Sequence, residues 1–137
     1  MISDSDLKRL DTHAGQTGSL IWRSSRFYVD FYTHKGAARA LTAQGVEPQC
    51  AMHDAAAIAF VLMPDAFEVQ SGAARVIPDG MASGQLALDR KGYTYATAHW
   101  QNRPSTHVCM GVDSARVREH FISAIIDHHL RYNAGHM

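Results

Sequence analysis

The sequence predicts an α+β chain in which helices pack on a small antiparallel sheet. Three observations carry this reading. An apolar run from Ala55 to Met63 lies between a polar pair, His53-Asp54, and Pro64. Short β-rich segments at 67–69, 74–77 and 85–89 flank the turn signal Pro78-Asp79-Gly80. Near the end, Val117, Phe121, Ile122, Ile125, Ile126 and Leu130 recur at helical spacing. A chain of 137 residues suits one domain spanning 1–137.

Taken in order, Ser3 followed three residues later by Asp6 has the form of a capping box, and Leu7 and Leu10 give a short helix that stops before the turn-rich Thr12 to Gly18. From about Ser19 to Lys35, Ile21, Trp22, Phe27, Tyr28, Phe31 and Tyr32 mark an amphipathic helix with an aromatic stripe, ended by Gly36. Residues 37–49 form an alanine-rich connection with Gly45 and Pro48, expected to be mobile. Asp54 is placed to cap a helix from about Ala55 to Met63, and Pro64 stops it. That helix is apolar on every side, which predicts a central, fully buried element with the polar pair at its mouth. The strands Phe67-Glu68-Val69 with 74–77 and then 85–89 form an antiparallel hairpin closed by Arg90-Lys91-Gly92, while Tyr93 to Pro104 has no clear period. Val108 to Val112 reads as a third strand, and Asp113 or Ser114 caps the last helix. The tail from Asn133 to Met137 is expected to fray.

Composition narrows the function classes. Lys plus Arg and Asp plus Glu both number 13, so a polyanionic partner such as nucleic acid is not expected. No apolar run reaches the roughly 18 to 20 residues that span a bilayer, and Met1-Ile2-Ser3-Asp4 lacks the start of a secretory signal; a cytoplasmic chain without membrane contact is expected. Two cysteines, Cys50 and Cys109, are too few for a disulfide framework and are expected as free thiols.

His53-Asp54 before a short apolar helix, followed by Pro64-Asp65 and Phe67, then Ser83-Gly84 and Leu88-Asp89-Arg90, then Val112-Asp113 opening a helix with Phe121, resembles the C-terminal portion of the inosine/uridine-preferring nucleoside hydrolase family. Upstream, Ser3-Asp4-Ser5-Asp6-Leu7 and Phe27-Tyr28-Val29-Asp30-Phe31-Tyr32 resemble that family's helices before the His-Asp pair. The resemblance implies the C-terminal part of an α/β fold and an ancestral hydrolysis of the N-ribosidic bond of purine or pyrimidine nucleosides. It implies calcium as cofactor, Asp54 as a metal ligand, His53 as the catalytic residue that protonates or orients the leaving base, and a nucleoside or ribose as ligand. Two departures stand out. The family's calcium-holding cluster, Asp-x-Asp-x-x-x-Asp-Asp, does not occur here, and Ala55 stands where the family has proline after His-Asp. The chain is therefore expected to be inactive in isolation and to work as a homo-oligomer or with an N-terminal partner chain. The alternative is a non-catalytic binding or assembly module in which the dyad is a relic.

Other candidates carry less. Asp4, Asp6 and Asp11 lie close together, but no glycine or terminal glutamate completes a calcium loop and Lys8 and Arg9 intrude, so a solvated helix start is expected. The aromatic stripe either packs in a core or offers rings to a nucleobase. His120, Asp127, His128 and His129 on the last helix lack His-Glu-x-x-His spacing and suit a helix C-terminus instead of a transition metal. No serine has a Gly-x-Ser-x-Gly context, and Cys50 three residues before His53 is poor support for a thiolate pair.

Overall fold

The computed structural model describes residues 1–34, 43–91, 93, 100 and 102–134. Along the chain run β1 (Ile2–Ser3), α1 (Asp4–His13), α2 (Gly15–Thr33), β2 (Gln49–Cys50), α3 (His53–Leu62), β3 (Phe67–Val76), β4 (Leu86–Asp89), β5 (Ser105–Val112) and α4 (Ser114–Ala134). They divide into two compact units. One comprises Met1–Pro64 with Asp113–Met137, and the other Asp65–Val112. Helices and small antiparallel sheets are therefore both present; the β4-β3-β5 sheet answers to the predicted strands, while the β1-β2 pair was not among them.

The first unit holds the core. Ile2, Leu7, Leu10, Ala14, Val29, Cys50 and Ile122 form one buried cluster, against which Ile21, Trp22, Tyr32, Met52, Phe121, Ile125 and Ile126 pack in part. Burying each large aliphatic side chain contributes about 1.5–3 kcal/mol, so this cluster is the main source of the unit's stability. The capping box at Ser3 is present: the Ser3 side chain accepts from the Asp6 amide, and the Ser3 amide donates to Asp6 at 3.0 Å. The turn expected over Thr12 to Gly18 is not. Only Ala14 separates α1 from α2, and Gly15, with φ +53°, supplies the left-handed residue that lets one helix follow the other at once. Gly18 then allows close approach, since a Cβ there would lie 1.9 Å from the Leu10 carbonyl oxygen.

The aromatic stripe divides between two surroundings. Trp22 and Tyr32 pack against the core, whereas Phe27, Tyr28 and Phe31 are exposed, stacked along α2 edge-to-face or tilted at 5.6 Å and 6.2 Å between centroids. Trp22 is half-buried with the Arg26 guanidinium 4.4 Å from its ring centre. The helix end expected at Lys35 and Gly36, the first part of the connection (37–42), Gly92, most of Tyr93 to Pro104 and the last three residues lie outside the described residues.

The acidic helix start is ion-paired. Asp4 pairs with Arg26 and with Lys8 at 3.1 Å, and Asp6 lies 3.5 Å from Arg118; both carboxylates are largely screened from solvent. Arg9 grips Glu119 of α4 through two hydrogen bonds of 2.9 Å each. That last helix is capped by Asp113, whose carboxylate accepts from the Arg116 amide at 3.0 Å.

In the second unit, β3 is one continuous strand across both segments the sequence separates. It lies between β4 and β5, antiparallel to each, with Ala73 opposite Asp89 and also opposite Ser105, and with an irregularity between Glu68 and Val69. The turn from β3 to β4 uses the short 3-10 segment Gly80–Ala82 after Pro78-Asp79, and the Gly84 amide donates to Ile77 at 2.8 Å. Trp100 belongs to this unit and is half-buried. No helix among the described residues is long and apolar enough to cross a membrane.

Candidate functional site

The dyad begins α3. β2 pairs with β1, placing Cys50 opposite Ile2 in the core, and so anchors the chain two residues before the helix. The Ala56 amide then donates to the Met52 carbonyl at 3.1 Å. His53 is thus the first helical residue and Asp54 the second, which corrects the expectation that Asp54 is the cap. Met52 occupies that position, and no side chain closes the helix end. Asp54 instead places a negative charge in the first turn, where the helix dipole favours it.

The helix itself is not enclosed. Among its residues only Ala59 is buried, while Ile58, Val61 and Leu62 are 63%, 76% and 65% exposed. A composition that is apolar all round predicts burial all round, and this unit covers one side alone.

Both dyad side chains are exposed. The Tyr32 hydroxyl lies 3.5 Å from His53 Nε2, at the long limit of a hydrogen bond. Since Tyr32 packs against the core, it offers the imidazole one fixed neighbour. Tyr32 and His53 are 21 positions apart, so no sequence spacing announces their meeting. Cys50 is buried, and burial pushes its thiol up despite the nearby Arg26, which removes it from thiolate chemistry with His53.

The other expected candidates are engaged elsewhere. Asp11 accepts from the Ser19 hydroxyl at 2.6 Å, and His129 sits over Gly15 with Asn133 3.0 Å away. Among the described residues no three His, Cys, Asp or Glu side chains converge as metal ligands would. An open depression of about 580 Å³ is lined by Asp11, Gly15, Gln16, Ser19, Leu20 and Arg23, without either dyad residue.

Residues 1–119 match the inosine-uridine preferring nucleoside hydrolase family. The chain belongs to this family. Among solved structures, a plant nucleoside hydrolase, the PpNRh1 enzyme, superposes with a TM-score of 0.74 at 21% identity, over 90% of this chain. The match covers 36% of the plant chain, so the present chain spans just over a third of that relative's length. No curated protein matches the sequence significantly.

Nucleoside hydrolases of this family typically hold calcium, an ion that takes six to eight oxygen ligands. Asp54 is the sole carboxylate on α3, and the acidic residues of α1 are bound to Arg26, Lys8, Arg118 and Ser19. The described residues do not fit the ion.

Proposed function

We propose that this chain carries the histidine-aspartate portion of a nucleoside N-ribohydrolase site, corresponding to the C-terminal part of that fold, and that it does not hydrolyse nucleosides alone. The carrying observation is the family match over residues 1–119 together with His53 and Asp54 on the first turn of an apolar helix. Cleaving an N-ribosidic bond requires an activated water, stabilisation of a cationic sugar and a proton for the departing base. His53 is suited to the last of these, since an imidazole exchanges protons near neutral pH and Tyr32 gives this one a fixed neighbour. Asp54 contributes one carboxylate toward a metal, and no cluster of three His, Cys, Asp or Glu side chains completes a site among the described residues.

The second reading is a binding or assembly module with a relic dyad. It is favoured by the exposure of both dyad side chains and by their absence from the lining of the α1–α2 depression. Both readings expect no hydrolysis by the chain alone, and one assay can overturn both. The purified chain is incubated with a nitrophenyl riboside, with calcium and with chelator; release at the level of the blank is expected. Calcium-dependent release that disappears in both His53→Ala and Asp54→Ala would instead establish a complete site and end the module reading.

A further inference from the structure

We infer that His107, Cys109 and Met110 on β5 form a binding site for a soft monovalent metal ion, Cu(I). β5 is an edge strand of the second unit, hydrogen-bonded to β3. Its register sets His107 opposite Ser71 and Cys109 opposite Val69, two positions apart on a regular stretch, so both side chains leave the same face of the sheet. Their Cα atoms stand about 7 Å apart, a spacing from which imidazole and thiol reach one point. The next pair is Glu68 with Gly111, which leaves Met110 as the extra residue of a bulge. A bulge re-aims the side chain it carries, lifting Met110 out of the alternation that would set it on the far face from Cys109. All three side chains are exposed.

The donors choose the ion. Thiolate and thioether are soft and imidazole is borderline, a set that selects Cu(I) over the hard cations that carboxylates hold. From Ser105 to Val112 there is no Lys, Arg, Asp or Glu, so no carboxylate draws a hard ion to the strand and no fixed cation repels a soft one. A closed zinc site asks for a further protein ligand, whereas Cu(I) is stable with fewer. Ser71 supports the arrangement, its hydroxyl 2.9 Å from His107 Nδ1. Accepting from an Nδ1–H, it holds the ring in the tautomer whose Nε2 lone pair faces a metal, the outer contact that metal-binding histidines make. On binding, the Cys109 thiol gives its proton to solvent, and thiolate with Cu(I) makes a neutral pair without any change of oxidation state. Cys50 lies in the core of the first unit and takes no part. The inference is independent of the nucleoside hydrolase reading and of calcium.

Anaerobic titration of the full chain against the Cu(I) complex of bathocuproine disulfonate tests it, read from the chelator's visible absorbance. The chain is expected to withdraw Cu(I), with affinity lowered roughly tenfold or more in each of Cys109→Ser, His107→Ala and Met110→Leu. Met81→Leu, at an exposed methionine of the same unit away from β5, should bind as the unaltered chain does. A reading without variants comes from proton NMR: Cu(I) should shift the Met110 methyl and His107 imidazole resonances of the unaltered chain. A chain that withdraws no Cu(I), an affinity unmoved by any one of the three substitutions, or a complex in which those two resonances stay in place overturns the proposal.

Discussion

Gly15 concentrates two constraints in one position. Its φ of +53° disfavours any side chain, and a Cβ there would come within 2.3 Å of the His129 ring. Gly15→Ala is expected to lower stability by about 1–3 kcal/mol in urea denaturation. Trimming His129→Ala alongside it should recover the steric part and leave the backbone part, a coupling that a double-mutant cycle reads directly. Asp4 makes an electrostatic prediction. Burial pushes its carboxyl up, but donation from Arg26 and Lys8 outweighs this and holds it below the ordinary carboxylate range. A group whose native pKa is depressed stabilises the fold above its unfolded value and ceases to do so as pH falls through the native one. The urea midpoint should therefore fall as pH drops below about 4, and fall less in Asp4→Asn. The cysteines differ in the same physical terms: a disulfide-exchange reagent should label exposed Cys109 at once and Cys50 only on unfolding.

At the scale of elements, two of the three expected N-caps were legible, because a cap depends on a few neighbouring atoms; the third, Asp54, lies inside the first turn of α3 instead. Ser3 with Asp6, and Asp113 ahead of α4, are present as the residue types imply. Asp113→Ala is expected to cost about 1 kcal/mol, measured as a shift of the unfolding midpoint. The α1–α2 boundary was illegible for the converse reason. The threonines and glycines from Thr12 to Gly18 have weak helix propensity, yet the Leu7, Leu10 and Val29 cluster holds both helices and overrides it. α3 misled in another way. Its composition states what the helix prefers, and burial depends on what this unit provides around it, which one chain's pattern does not encode. The β3 strand was read as two because Gln70, Ser71, Gly72 and Ala73 interrupt its β-branched and aromatic character, while pairing on both sides carries the strand through them.

For the molecule as a whole, the family was legible from His53-Asp54 and its surroundings, and residues 1–119 bear it out. The site was legible only as residue types: the neighbour that Tyr32 provides, and the engagement of the α1 carboxylates by arginine and lysine, depend on chain crossings far apart in sequence. The poor fit to calcium has a thermodynamic expression. A ligand bound by the native state raises its stability in proportion to the logarithm of ligand over dissociation constant. Millimolar calcium should accordingly leave the melting temperature of this chain unchanged against chelator, and a rise of several degrees would show that ligands gather beyond those described. The two tryptophans fall one to each compact unit, Trp22 in the first and Trp100 in the second. Replacing either with phenylalanine leaves a single native fluorophore, so emission recorded through a melt follows the helical unit or the sheet unit alone, and coincidence or separation of the two curves reports whether they come apart as one cooperative block.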